Sequence, residues 1–146
     1  KPTARILDIS FELCAKNMDI VMGTPPPYHG LCYRASDMQN RKITNSEGCV
    51  EGKNAMGVKA RWADLSGILD GKAVGVAIFD NSENPRFPTK FFTMDNAFGF
   101  ISTSFSYDEP YTIKAGDSLK LKHRVLVHSE DASSFDIENE YKRYTE

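Results

Sequence analysis

The sequence predicts an all-β protein, an antiparallel β-sandwich that ends in one short helix. Short runs of alternating apolar and polar residues follow one another, separated by glycine, proline and asparagine turns, which is typical of strands with one buried and one exposed face. The clearest run, residues 119–127, alternates leucine, histidine and valine with mostly charged residues. Helical periodicity is missing before residue 130, which argues against a parallel sheet with crossover helices.

The first half of the chain predicts a series of short strands. Residues 4–22 hold a half-buried strand and, after a turn, the start of a second one. The inner side of the first strand is predicted to carry Leu7, Ile9, Phe11 and Leu13. After a proline-rich break, alternation resumes and predicts strands over 29–35, 42–51 and 56–64.

Two tight turns organise the second half. The Asp70-Gly71 pair predicts a hairpin that returns through a buried strand at 74–79, and a turn at 114–117 precedes the strand at 119–127. Further strands are predicted at 90–94 and 97–104. Residues 131–144 predict the helix, with Ser133 or Ser134 as N-cap and an apolar side that packs on the sheet through Phe135, Ile137, Tyr141 and Tyr144.

Length and charge limit the classes of function. The 146 residues fit one domain, and the net charge of −2 gives no electrostatic basis for nucleic-acid binding. No run approaches the roughly 20 apolar residues of a membrane span. The spacing of Cys14, Cys32 and Cys49 matches no zinc or redox motif; we expect small buried side chains, with one disulfide as the alternative. Because the chain starts at Lys1, we expect part of a longer protein.

The histidines predict neither a metal site nor a catalytic centre. His29 stands at a strand entrance, His123 falls on the apolar side of its strand as a core residue, and His128 closes that strand in an exposed position. Their spacing is not that of metal ligands, and we expect no cofactor. Nucleophile and phosphate-loop motifs are missing as well, so the catalytic residues, if there are any, stay unassigned.

Several polar residues at strand ends are candidates for ligand binding. Glu47, Asp64 and Asp80 each adjoin an aromatic residue, a glycine or a proline. Trp62 is either a core anchor or a platform on which a sugar ring stacks beside Arg61 and Asp64. In the stretch FDNSENPRFPT, residues 79–89, two prolines flank Arg86, which predicts a rigid polar loop that is either structural or directed at a ligand.

Four strings of the sequence resemble one family. They are NSEG (45–48), MGVKARWADLSG (56–67), GVAIFDNSENPRFPT (75–89) and AGDSLKLKHRVLVH (115–128). In this order they resemble bacterial proteins of unknown function that carry the label "methane oxygenase PmoA". Members of that family are nearly twice as long, so the chain resembles a C-terminal half. The resemblance implies a supersandwich of the galactose-mutarotase type, a sugar ligand and an exported, extracytoplasmic protein; a metal-dependent oxygenase is not expected.

The stretch at 79–89 departs from that family's pattern, FDHP-x-NPR-x-PT followed by Trp-His. Asn81 and Phe92 stand where histidines are usual, and Phe91 replaces the tryptophan. The retained positions include Asp80, Asn84 and Arg86. If the histidines are catalytic in relatives, this chain has lost them, which favours binding without chemistry.

The sequence therefore predicts a carbohydrate-binding or carbohydrate-active domain. Its candidate ligand-binding residues are His29, Arg34, Glu47, Trp62, Asp64, Asp80, Asn84 and Arg86. If the domain has an activity, Glu47 or Asp64 would serve as base. The alternative is a structural or interaction half of a larger sandwich, which would self-associate or pair with a missing N-terminal half.

Overall fold

A computed structural model of the chain describes residues 3–23, 30–130 and 133–146. The described residues form ten strands and two helices: β1 Ala4–Cys14, β2 Ile20–Met22, β3 Cys32–Arg34, β4 Gln39–Asn45, α1 Gly52–Ala55, β5 Trp62–Leu69, β6 Lys72–Asp80, β7 Phe91–Met94, β8 Phe100–Thr103, β9 Tyr111–Ile113, β10 Ser118–Ser129 and α2 Ile137–Thr145. The prediction of an all-β protein with a short C-terminal helix is confirmed.

The strands make three antiparallel sheets. The largest has the order β1-β10-β6-β5-β4, a three-stranded sheet has the order β3-β8-β7, and β2 pairs with β9 alone. The β5–β6 hairpin turns at Asp70 and Gly71, both with positive φ (49° and 74°). Those angles suit a tight two-residue hairpin turn, so the Asp-Gly prediction is confirmed.

The main core lies between the five-stranded and three-stranded sheets. Ile43, Leu65 and Ile78 on one sheet pack with Phe91 and Ile101 on the other, and all five are fully buried. A second cluster joins the start of β10 to the β2–β9 pair through Leu119, Leu121, Phe105 and Ile113. The fold is thus sandwich-like over much of one face of the large sheet.

Helix α2 covers the opposite face of the large sheet. Ile137 and Tyr141 are buried against Trp62, Phe79 and Leu126, and Phe135 and Tyr144 pack beside them, so the predicted packing of the helix is confirmed. The predicted N-cap is wrong. The cap is Asp136, whose carboxylate accepts a hydrogen bond from the Asn139 amide at 3.0 Å, the usual arrangement at a helix N-terminus.

The segment between β4 and β5 differs from the predicted strand at 56–64. It begins with α1, a single helical turn, and β5 starts only at Trp62. Isolated backbone hydrogen bonds instead connect this segment to β7 and to the residues that precede β7. The Gly57 amide donates to the Phe91 carbonyl at 2.8 Å, and the Ala60 amide donates to the Thr89 carbonyl at 3.0 Å. Alternation alone does not separate such a bridge from a strand.

Strand β1 is far more exposed than predicted. Nine of its eleven residues are exposed, including Ile6 (49%), Leu7 (50%) and Leu13 (39%). The strand forms one edge of the large sheet, and of its predicted inner side only Ile9 and Phe11 are partly buried, Phe11 against the cluster that joins β10 to the β2–β9 pair. The prediction of a half-buried strand is therefore wrong for Leu7 and Leu13 and confirmed for Ile9 and Phe11.

The cysteines are also more exposed than predicted. Cys14 and Cys32 are exposed, Cys49 is partly buried, and no disulfide joins the three cysteines. Cys14 and Cys32 sit on edge strands, where alternate side chains face solvent. In the part of the chain that the structure describes, no helix is both long enough and apolar enough to cross a membrane.

Candidate functional site

The outer face of the three-stranded sheet carries a partly exposed aromatic surface. Side chains alternate across a strand, so burying Phe91, Thr93 and Ile101 against the large sheet turns Phe92, Met94 and Phe100 outward. Arg34 of β3 is directly opposite Phe100 and shares that outer face.

The rings of this surface are held by contacts with one another. Phe100 makes edge-to-face contacts with Phe92 (centroids 6.0 Å apart) and with Phe98 (6.2 Å), the geometry that the quadrupoles of aromatic rings favour. The Arg34 guanidinium carbon lies 4.2 Å from the centroid of Phe98, a cation–π contact. The aromatic side chains are therefore ordered before any ligand arrives.

Two depressions meet on this surface. One, of about 290 Å³, is lined by Arg34, Phe98 and Phe100 together with Phe92 and Met94. The other, of about 690 Å³, shares Phe92 and Met94 and extends past Met56 to a polar rim at Glu51, Lys53, Asp95 and Asn96. We call this continuous surface the aromatic groove.

The rim of the aromatic groove is braced from behind by Arg41. Its guanidinium donates to the carbonyls of Asp95 (3.1 Å), Asn96 (2.8 Å) and Met38 (3.1 Å). The Asp95 carboxylate in turn accepts the Gly52 amide at 2.6 Å. A Cβ at position 52 would lie 2.8 Å from that carboxylate, so glycine is what allows α1 to approach the rim.

The charges on the groove are well placed to contact a polar ligand. Lys53 and Glu51 form an exposed ion pair at 3.4 Å, which costs little to rearrange. The Arg34 guanidinium has no ion-pair partner among the described residues, and its donors face solvent. An apolar floor with donors and acceptors at its edge is the usual chemistry of a small-molecule site.

The loop at 79–89 is held together by Asp80 and Asn84. Both are buried; the Asn84 amide nitrogen donates to the Asp80 carboxylate and to the Lys122 carbonyl, both at 2.7 Å, and its oxygen accepts the Lys122 amide at 2.8 Å. The other Asp80 oxygen accepts the Thr89 amide at 2.9 Å. Burial raises the pKa of Asp80 more than these hydrogen bonds lower it. The pair ties the loop to β10.

Arg86 braces a neighbouring loop. It has a positive φ of 64°, and its guanidinium donates to the carbonyls of Phe105, Glu109 and Pro110 at 2.9–3.0 Å. It also pairs with the Glu109 carboxylate at 3.2 Å. A separate cavity of about 230 Å³ lies beside Arg86, but the guanidinium already donates its hydrogen bonds to the backbone carbonyls.

Asp64 and His128 form a buried pair beneath α2. Their Oδ1 and Nε2 atoms are 2.8 Å apart, and both side chains have no exposed area. Burial lowers the pKa of His128, but the hydrogen bond and charge of Asp64, together with backbone groups at Ser129 and Glu130, raise it above the usual value. The prediction that His128 is exposed is wrong, because the ring of Phe135, in the segment before α2, stacks on the imidazole at 4.7 Å.

His123 is a core residue as predicted, but its ring is not satisfied. It is 2% exposed, and neither nitrogen has a hydrogen-bond partner among the described residues. Nδ1 lies 3.8 Å from the Asp80 carboxylate, beyond hydrogen-bonding distance. Burial lowers the pKa of His123 to about 4, and the backbone of Phe79 offsets this only in part.

The residues predicted to bind a ligand do not converge. Asp64 pairs across the ladder with Ala77, so it faces the opposite side of the sheet from Asp80. Trp62 is 9% exposed under α2 and donates its indole N–H to Glu138 at 2.8 Å, and Glu47 lies in an exposed turn after β4. Of the predicted set only Arg34 lines the aromatic groove; His29 lies outside the described residues.

The aromatic groove depends on Phe92, Phe98 and Phe100, none of which is among the ligand-binding residues that the sequence predicts. A usable signal was present: residues 91–100 contain four phenylalanines, and a four-residue strand cannot bury two consecutive phenylalanines on one face.

No three His, Cys, Asp or Glu side chains within 3–23, 30–130 and 133–146 are grouped so that they could hold a metal ion. The polar residues of the aromatic groove can offer a ligand hydrogen bonds and single charges; they are Arg34, Glu51, Lys53, Asp95 and Asn96. Such groups suit an organic ligand with several polar substituents.

Comparison with known proteins gives one match. A family model described as a family of unknown function, DUF6807, covers residues 1–142. No curated protein and no solved structure shows significant similarity to the chain. The resemblance to a family labelled methane oxygenase, and the likeness to mutarotase-type sandwiches, are not supported by these comparisons.

Proposed function

The chain belongs to DUF6807, a family of unknown function whose model covers nearly its whole length, and we propose that it binds carbohydrate in the aromatic groove. The observation that carries the proposal is the contact of Phe92 and Phe100, on the outer sheet face, with each other and of Phe100 with Phe98, in the connection between β7 and β8. The C–H face of a pyranose ring packs against the negative face of an aromatic ring, and its hydroxyl groups need donors and acceptors around that contact.

The groove supplies both parts of that chemistry. Its floor is apolar, while Arg34 at one end and Glu51, Lys53, Asp95 and Asn96 at the other can bond hydroxyl groups. The larger depression, of about 690 Å³, falls in the usual size range of ligand sites, and the smaller one, of about 290 Å³, extends it just below the lower end of that range. We therefore propose a short oligosaccharide, rather than one monosaccharide, as the ligand.

The proposal is for binding without chemistry. Of the carboxylates considered as a base, Asp64 is fully buried beneath α2 and Glu47 is in a separate exposed turn. The carboxylates at the groove rim, Glu51 and Asp95, serve in this proposal as acceptors for ligand hydroxyl groups, beside their contacts with Lys53 and the Gly52 amide. A general acid–base pair would need two such groups directed at one bond.

Calorimetric titration with gluco-, xylo-, manno-, galacto- and uronic-acid oligosaccharides tests the proposal. We expect saturable binding to at least one class and a loss of at least tenfold in affinity, about 1.4 kcal/mol, for Phe100→Ala. Phe87→Ala is the matched control, since Phe87 is partly buried but lines the cavity beside Arg86. Absence of binding across the panel, or equal binding by both variants, would refute the proposal.

A further inference from the structure

The outer sheet face that carries the aromatic groove continues past the start of β7. Lys90 stands two residues before Phe92, and Phe91 between them is fully buried. Alternate residues of an extended chain share a face and lie about 7 Å apart, so Lys90 lies on the outer face beside Phe92. The cavity of about 230 Å³ that Lys90 lines together with Lys59 and Tyr107 therefore adjoins the aromatic groove.

Two lysines line this cavity side by side. Lys59 is directly opposite Lys90 in an isolated antiparallel bridge. The backbone hydrogen bonds lie on either side of the two residues and do not join them, and in such a non-hydrogen-bonded pair the side chains are closest. Like charges directly opposite each other are destabilising. The structure therefore brings two positive charges together at a cost that a bound anion would reduce.

Only one of the two lysines is neutralised by the protein. The Lys90 ammonium lies 2.6 Å from the Asp108 carboxylate, and the other charged neighbours in the cavity, Arg86 and Glu109, pair with each other at 3.2 Å. The Lys59 ammonium has no ion-pair or hydrogen-bond partner among the described residues. With three cations against two carboxylates, the cavity carries an excess of one positive charge, although the chain as a whole has a net charge of −2.

We propose that the oligosaccharide bound in the aromatic groove is acidic and that Lys59 binds its charged group in the adjoining cavity, an inference that rests on the proposed function because the sugar rings would lie in the groove. An excess of one positive charge matches a singly charged group, either the carboxylate of a uronic acid or a sulfate ester. A hydrogen bond from an ammonium group to such an anion is roughly twice as strong as one between neutral groups. Arg34, at the other end of the groove and likewise without an ion-pair partner among the described residues, adds to the preference for negative charge.

Calorimetric titration with matched pairs of oligosaccharides tests this inference. The pairs are galacturonate, mannuronate and glucuronate oligomers with their methyl esters, and sulfated galacto-oligosaccharides with their desulfated forms. We expect at least one acidic member to bind about tenfold or more tightly than its neutral counterpart, and Lys59→Gln to reduce that ratio to below about threefold. Lys72→Gln, which removes the same charge from an exposed lysine at the start of β6, should leave the ratio unchanged.

The neutral members of the pairs keep the two proposals apart. Equal affinity within every pair, or a preference that Lys59→Gln leaves intact, would overturn the role of Lys59, while binding of the neutral members would still support the proposed function. Absence of binding by every acidic and every neutral member would refute both. The type of pair that shows the preference identifies the acidic group. Because Phe87 lines the same cavity, Phe87→Ala serves as a control for the neutral members.

Discussion

The Nε2 atom of His128 lies 2.8 Å from Oδ1 of Asp64, although the two residues belong to strands that are not neighbours. Strand β6 runs between β10 and β5, and the imidazole crosses it above Gly75, which is paired with His128 in the ladder. The bond therefore links β10 to β5 across β6, on the face of the sheet that α2 covers.

Gly75→Ala should destabilise the fold through this crossing. A Cβ at position 75 would lie 2.5 Å from Nε2 of His128 and 3.1 Å from Cβ of Ser66, so the imidazole would have to move away from Asp64. We expect a loss of roughly 2–4 kcal/mol in the free energy of unfolding by urea denaturation. Gly23→Ala is the control, since a Cβ there meets no atom within 4 Å; equal stability of the two variants would contradict the account.

Asp64→Asn should lower the pKa of His128. The pKa of His128 is raised in the folded chain. The stability that the pair contributes is therefore fully present below the pKa of histidine in the unfolded chain, near 6.5, and is lost as the pH rises through the folded pKa of His128. Removing the charge leaves burial, which lowers the pKa, as the larger influence. An NMR titration of the imidazole measures the change, and an unchanged His128 pKa would show that Asp64 does not control it.

His123 should make the protein less stable in acid. Its pKa of about 4 in the folded chain lies below the unfolded value near 6.5, so the unfolded chain binds the proton first and stability falls between these two pH values. The effect is about 3 kcal/mol by pH 4. Asp80 and His128, whose pKa values are raised in the folded chain, have the opposite effect, since each makes the folded chain more stable as the pH falls through its own titration range.

Comparison with His123→Leu isolates this effect from the other titrating groups. We expect the difference in unfolding free energy between the wild type and the variant to change by about 3 kcal/mol from pH 7 to pH 4 in favour of the variant. Denaturant unfolding at several pH values provides the measurement. Parallel pH profiles for the two proteins would mean that His123 is accessible to protons in the folded state.

Asn84→Ala should destabilise the protein, because Asn84 connects the 79–89 loop to β10. The substitution removes three hydrogen bonds and leaves the buried Asp80 carboxylate with fewer donors, which should cost roughly 2–4 kcal/mol in unfolding free energy. Asn54→Ala, which removes one exposed bond to the Val50 carbonyl, should cost well under 1 kcal/mol. Similar losses for both would place the 79–89 loop outside the stable part of the fold.

The sequence was most informative where local chemistry decides the structure. The Asp70-Gly71 turn needs two positive φ angles, which these residues adopt readily, and it identified the β5–β6 hairpin. Alternation over residues 119–127 identified β10. In both places the information lies within a few consecutive residues.

Burial was less predictable, because it depends on which elements cover a face. Alternation places Leu7 and His128 on particular faces of their strands, but it does not reveal that Leu7 stays half exposed at the sheet edge or that Phe135 stacks on His128. The aromatic groove was missed for a related reason: Phe91 and Phe92 are equally apolar, and only the packing of the two sheets decides which one faces inward.

Mapping of oligosaccharide binding by ¹H–¹⁵N NMR tests the central proposal most directly. The account predicts that, on addition of the oligosaccharide class that binds in calorimetry, amide shifts change around Arg34 and along residues 92–100, with Phe100→Ala abolishing the changes. Unchanged spectra at high concentrations of every class in the panel, or shifts confined to the Arg86 loop or the β1 edge, would contradict a carbohydrate site in the aromatic groove.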